Sequence, residues 1–143
     1  MAGKRIKAGM VPTAGGNITA GRLPELPKNL SFSFKYLEND HNKFVFSNQS
    51  ADYFCKVMER LKSLCSMTEH ELSANRSNAL RAHPIDWDDT SEKNGFSQLN
   101  EQLQMFKPYQ FSVSSNAHGR IHGFVSASVF YVIWLDPHHR LYS

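Results

Sequence analysis

The residues able to do chemistry gather in the last third of the chain. Residues 109–114 (YQFSVS) and 120–126 (RIHGFVS) alternate apolar and polar positions. A strand sends successive side chains to opposite faces. Tyr109, Phe111 and Val113 therefore share one face, with Ile121 and Val125 as neighbours, and Gln110, Ser112, Arg120 and His122 share the other. An early alternating segment adds Ser33 and Lys35 to the polar side, and the chain closes with His138-His139-Arg140-Leu141-Tyr142. If helices cover the apolar face, the polar face stays open, and guanidinium, imidazole, ammonium and phenol groups converge on it.

That set suits phosphodiester cleavage. When RNA is cut by its own 2′-hydroxyl, a base must take that proton, cations must balance charge on the phosphorane, and an acid must protonate the departing oxygen. Histidine titrates nearest neutral pH, and arginine supplies a permanent forked cation. The candidate catalytic residues are Arg120, His122, His138, His139, Arg140 and Tyr142; the candidate substrate contacts are Lys35, Gln110 and Ser112. This chemistry needs no metal and no other cofactor.

The elements that must position these groups can be read along the chain. Residues 30–37 (LSFSFKYL) alternate, with Phe32, Phe34 and Tyr36 on one side, and predict a half-buried strand. Residues 43–46 (KFVF) predict a second, short strand. Asn48 or Ser50 is placed to cap a helix ending near Leu64, with Tyr53, Phe54, Val57, Met58, Leu61 and Leu64 as its apolar stripe. Thr68 and Glu71 have capping-box spacing and open a second helix expected to reach Ala82. Pro84 and the aspartates of residues 83–89 break both periods, Trp87 reads as a core anchor, and a short helix fits residues 98–106. The last three strands read as an antiparallel meander, in which residues 128–135 (SVFYVIWL) are apolar on both faces and hence central. The expected class is α+β: an antiparallel sheet of four to five strands with two or three helices on one face.

Charge and composition narrow the function classes. The chain has 143 residues, 41% of them apolar, enough for one core and too many for a disordered or collagenous protein. Residues 1–30 hold five cations against Glu25 and carry +4, so the other 113 residues carry −1. Residues 1–28 are expected to be a flexible basic tail and residues 29–143 one domain. Residues 1–5 show no apolar run and no segment is long enough to span a membrane, so a cytoplasmic, membrane-free protein is expected. Cys55 and Cys65 lie ten residues apart, about 15 Å on a helix, too far for a disulfide.

The order strand, helix, helix and three antiparallel strands, together with residues 119–142 (GRIHGFVSASVFYVIWLDPHHRLY), resembles the RelE/ParE-like toxin superfamily of bacterial toxin–antitoxin systems. The resemblance implies a β-α-α-β-β-β fold, metal-independent mRNA cleavage alone or on the ribosome, and a protein antitoxin as partner. Arg120 would match the arginine of a late strand, and His138, His139, Arg140 and Tyr142 the functional C-terminal tail. The blocks HPIDW and FYVIWLDPHH also look like those of uncharacterised bacterial mobile-element proteins.

The alternative function is a non-catalytic interaction module, an accessory subunit of a mobile-element or phage-defence complex docking through the basic tail and aromatic residues. Solvated side chains on an exposed strand face are the ordinary reading of Arg120 and His122. His122, His138, His139 and Asp136 match no strong zinc spacing, and Asp86, Asp88 and Asp89 read as turn residues and caps. No glycine-rich phosphate loop or nucleophile elbow is present.

Overall fold

A computed structural model of the chain describes residues 28–142. The tail expected at residues 1–28 lies outside the described residues except for Lys28.

Helix α1 (Ala51–Leu64) begins where the extended Ser50 accepts the Tyr53 amide on its side chain. Asp52 in the first turn and Lys62 in the last both complement the helix dipole. Its buried stripe is Tyr53, Val57, Leu61 and Leu64. Phe54 and Met58, expected in that stripe, stay 36% and 59% exposed, which confines the core face to the narrower set. Helix α2 (Glu69–Ala74) opens with the complete Thr68–Glu71 capping box. It stops eight residues short of Ala82. The Asn75 side chain accepts the Ser77 amide, and Ser77 Oγ accepts those of Ala79 and Leu80. These local bonds give the backbone an alternative to further helical turns.

The strands are β1 (Ser31–Ser33), β2 (His83–Pro84), β3 (Pro108–Ser112), β4 (Arg120–Ser126) and β5 (Val129–Asp136). They form one sheet in the order β1-β5-β4-β3-β2, antiparallel except for the parallel β1–β5 pair. The class is α+β as the patterning predicts, with the late meander; β5, expected to be central, is an interior strand between β1 and β4, and the central place falls to β4. The element order departs from β-α-α-β-β-β, because β2, a single 3₁₀ turn (Trp87–Asp89) and α3 (Glu101–Gln104) intervene before β3. The first strand is shorter than residues 30–37: the chain turns at Phe34, whose carbonyl accepts the Leu37 amide. Residues 43–46 form no strand; His41 Nδ1 accepts the Lys43 amide, and Phe44 is fully buried, stacked on Trp134 at 4.5 Å.

Two apolar clusters sandwich the sheet. On one face α1 and α2 pack Tyr53, Val57, Leu61, Leu64 and Leu72 against Tyr109, Phe111, Val113, Ile121 and Phe130. On the other, Phe44, Ile85, Phe96, Leu99 and Leu141 cover Phe124, Ile133 and Trp134, and Leu103 of α3 packs there as well. This second cluster overturns the expectation of an open polar face with all helices on the opposite side. Residues 83–107 supply much of the second layer. Among the described residues no helix is long and apolar enough to cross a membrane.

Candidate functional site

The second layer stops short of the sheet end where β4 begins and β5 finishes, and polar groups collect there. Arg120, the first residue of β4, pairs across the ladder with Asp136, the last of β5. Gly119 makes that approach possible. Its φ is +73°, and a Cβ would lie 1.9 Å from the Asp136 carbonyl oxygen. Arg120 is half-buried; one terminal N–H donates to the Gly119 carbonyl at 3.1 Å, and its Nε is buried without a partner. Burial, then the charge of Arg81, lowers the Arg120 pKa.

Asp136 is the hub of the C-terminal turn. Its carboxylate accepts the amides of Arg140 (2.8 Å) and Leu141 (3.0 Å) and stands 3.0 Å from His122 Nε2. Burial raises the Asp136 carboxyl, but the His122 contact and the two amides outweigh it and hold it below its ordinary value. His122 is fully buried between Phe44 and Trp134. Burial lowers its pKa against the pull of Asp136, so the ring is neutral and donates Nε2–H to the carboxylate. His122 therefore shares the Arg120 face, as alternation requires, but cannot touch a substrate; its catalytic assignment gives way to that of a support for Asp136. Residue 139 is tied to the same hub, its amide donating to the Asp136 carbonyl at 3.2 Å.

A cavity of about 290 Å³ is lined by Arg81, His83, Gln110, Arg120, His139 and Tyr142. A second, of about 440 Å³, shares Arg81, Arg120 and His139 and adds His118 and His138 from the neighbouring turns. Their common wall thus carries two guanidiniums and an imidazole. Partial burial, then the Arg120 charge, lowers the His139 pKa, so this ring is neutral and able to accept a proton near neutral pH. Burial raises the Tyr142 phenol, which keeps its proton.

The hydrogen bonds also fix what His83 can do. Its Nδ1 lies 2.7 Å from the Pro84 carbonyl, which can only accept, so the proton sits on Nδ1. Nε2 then accepts from Gln110 Nε2 at 3.0 Å, leaving Gln110 Oε1 buried and unpartnered. With Nδ1–H directed at its neighbouring backbone carbonyl and Nε2 occupied as an acceptor, His83 has no proton to offer the cavity and presents its ring, 5.9 Å from the Tyr142 ring.

Backbone conformation marks the same place. Among the described residues, five non-glycine residues have positive φ. Ala127 and Ser128 make the β4–β5 hairpin turn, where such angles are ordinary. The other three, Arg81 (51°), His118 (69°) and His139 (55°), all line the 440 Å³ cavity. Each costs on the order of 1–2 kcal/mol, and such strain concentrates at functional sites. A larger cavity, about 480 Å³ between α2 and β3, also holds two cations and an imidazole (Arg76, Lys107 and His83), but Glu69 adds a negative charge to its lining and none of its residues has positive φ.

Of the residues expected from the sequence, Arg120, His139, Tyr142 and Gln110 meet in the smaller cavity and His138 lines the larger. Arg140 lines neither and contributes its backbone amide to Asp136. Ser112 is fully buried, its hydroxyl spent on the Leu80 carbonyl at 2.8 Å. Lys35 lies over the Tyr36 ring at 5.3 Å and lines neither cavity, because the chain leaves the sheet at Phe34. Sequence reasoning missed Arg81, His83 and His118; the His118-Gly119 turn and the RAHP run of residues 81–84 were the available signals.

No family model, no curated protein and no solved structure matches the chain. Two guanidiniums beside a neutral imidazole have the chemistry to hold an anion such as a phosphate.

Proposed function

We propose that the chain is a toxin-like endoribonuclease, working without a metal, whose centre is the wall shared by the two cavities. The observation that carries this reading is the joint lining of that wall by Arg81, Arg120 and His139. His139 takes the 2′-hydroxyl proton, Arg81 and Arg120 hold the phosphate and balance the charge that builds on it, and His83 with Tyr142 offers rings against which a base can stack. Asp136, backed by His122, holds the turn that presents His139. Such an activity belongs in a bacterial cytoplasm under the control of an antitoxin-like protein, and the substrate is single-stranded RNA, free or on a ribosome.

The test is incubation of the full-length chain with labelled single-stranded RNA and with translating ribosomes. The reading expects products ending in a 2′,3′-cyclic phosphate. Arg120→Ala and His139→Ala should each lose about 10²–10⁴-fold with unchanged circular dichroism. Intact RNA under both conditions, or full activity in both variants, refutes it.

A second reading, the accessory interaction module, has one specific support. Phe54 and Met58 lie one turn apart on α1, exposed, with Phe46 edge-on to Phe54. A stable protein partner lost in the Phe54→Ser/Met58→Ser variant, with no RNA cleavage by the wild type, would favour it.

A further inference from the structure

Cleavage of an RNA chain needs an acid as well as a base, and the shared wall supplies only the base. The wider cavity adds two imidazoles, of which His138 has one side-chain partner, Gln49, and His118 has one at each nitrogen. His118 lies in the β3–β4 turn with φ 69° and lines the 440 Å³ cavity together with Arg81, Arg120 and His139. Its ring is held from both sides. Nδ1 is 3.0 Å from Ser114 Oγ, and Nε2 is 3.3 Å from Asp52 Oδ2 at the start of α1.

Each neighbour can only accept. Ser114 spends its hydroxyl proton on the Ala117 carbonyl at 2.6 Å, leaving lone pairs for Nδ1–H. Asp52 is a carboxylate, facing Nε2–H. The ring must donate at both nitrogens to satisfy both contacts, and that is the form of histidine with a proton to give. His139 across the cavity is the reverse case, pushed by burial and Arg120 toward the form that takes a proton. Both imidazoles line the cavity together with the guanidinium pair.

We propose that His118 is the general acid of the reaction, with Asp52 and Ser114 as its positioning residues; this rests on the ribonuclease reading above. In the step itself, the O2′–H proton passes to His139 as the O2′–phosphorus bond forms. The phosphorus–O5′ bond breaks, and O5′ takes a proton from His118. The products are a 2′,3′-cyclic phosphate and a 5′-hydroxyl, and no further reactant is consumed. Asp52 holds Nε2–H by charge, whereas the neutral Ser114 hydroxyl is the weaker acceptor, so the Nδ1 proton is the one released.

The experiment compares two substrates with the full-length chain. One is a dinucleotide whose O5′ leaves only if protonated; the other is the same nucleoside 3′-phosphate esterified to p-nitrophenol, which leaves without a proton. His118→Asn is the variant of choice, since asparagine tolerates the left-handed φ. It should lose about 10²–10³-fold on the dinucleotide and less than about tenfold on the nitrophenyl ester. Asp52→Asn should lose about tenfold on the dinucleotide alone. Equal losses on both substrates, or none on the dinucleotide, overturn the assignment of His118. A wild type inert toward both refutes the ribonuclease reading and His118 with it, whereas an active wild type with an indifferent His118→Asn refutes only the acid.

Discussion

Acidification should weaken this fold through His122 before Asp136 is protonated. His122 is fully buried and its pKa is held below the ordinary value, so as pH falls from about 7 to about 5 the folded state takes up less proton there than the unfolded chain. The unfolded chain does take that proton, near the unperturbed histidine value of about 6.5. Wherever the unfolded state binds more protons, stability falls with falling pH, at up to about 1.4 kcal/mol per unit for one group. Integrated from about pH 7 to about pH 5, the loss is at most about 2 kcal/mol, the value for a folded ring that stays neutral throughout. His139, also shifted down, adds a loss of the same sign. Asp136 acts later: its folded pKa is depressed, so its contribution is present above the unfolded carboxylate value and is lost only as pH falls through the folded one. The assay is urea unfolding at a series of pH values, comparing wild type with His122→Gln, which keeps a donor for Asp136 but takes no proton. The wild type should lose more stability than the variant over that interval, by up to about 2 kcal/mol. Parallel curves for the two proteins would contradict a buried neutral His122.

Two further predictions concern the site's supports. Arg120→Gln removes a charge that lowers His139, so the His139 ring should titrate at higher pH, read by the NMR shift of its Cε1 proton; an unmoved titration would mean that Arg120 does not sense that ring. Gly119→Ala adds a Cβ 1.9 Å from the Asp136 carbonyl at a φ of +73°, so β4 must move away from the C-terminal turn. A loss above about 2 kcal/mol in urea unfolding is expected, and a neutral result would contradict the close approach.

The patterning that was legible is the patterning with a period. The Ser50 cap, the Thr68–Glu71 box and the alternation of β3 and β4 each repeat a local rule, and each has its expected counterpart. The facing set Tyr109, Phe111, Val113, Ile121 and Val125 follows from period two alone and packs on α1 and α2. The cover over the other face has no period to read. Phe44, Ile85, Phe96, Leu99 and Leu141 are single apolar residues in irregular segments, and only their meeting on Trp134 and Phe124 makes them a layer. That is why His122 reads as exposed in the sequence and lies buried in the fold. Arg81 and His118 escaped for a different reason: they reach the cavity through left-handed backbone, which nothing in an arginine or a histidine advertises. Of the candidate site, the arginine of β4 and the C-terminal turn were visible. The second guanidinium and the second oriented imidazole come from loops whose paths are set by tertiary contacts.

The central claim is that the wall formed by Arg81, Arg120 and His139 receives a nucleic-acid phosphate. Backbone amide NMR of the full-length chain, titrated with a short 2′-deoxy oligonucleotide that cannot be cut, tests it directly. The account predicts saturable shifts centred on Arg81, Gly119, Arg120 and His139, abolished in the Arg81→Gln/Arg120→Gln variant. Shifts centred on Phe54 and Met58 of α1, or none at oligonucleotide concentrations of about 1 mM, where even loose phosphate contacts register, would contradict it.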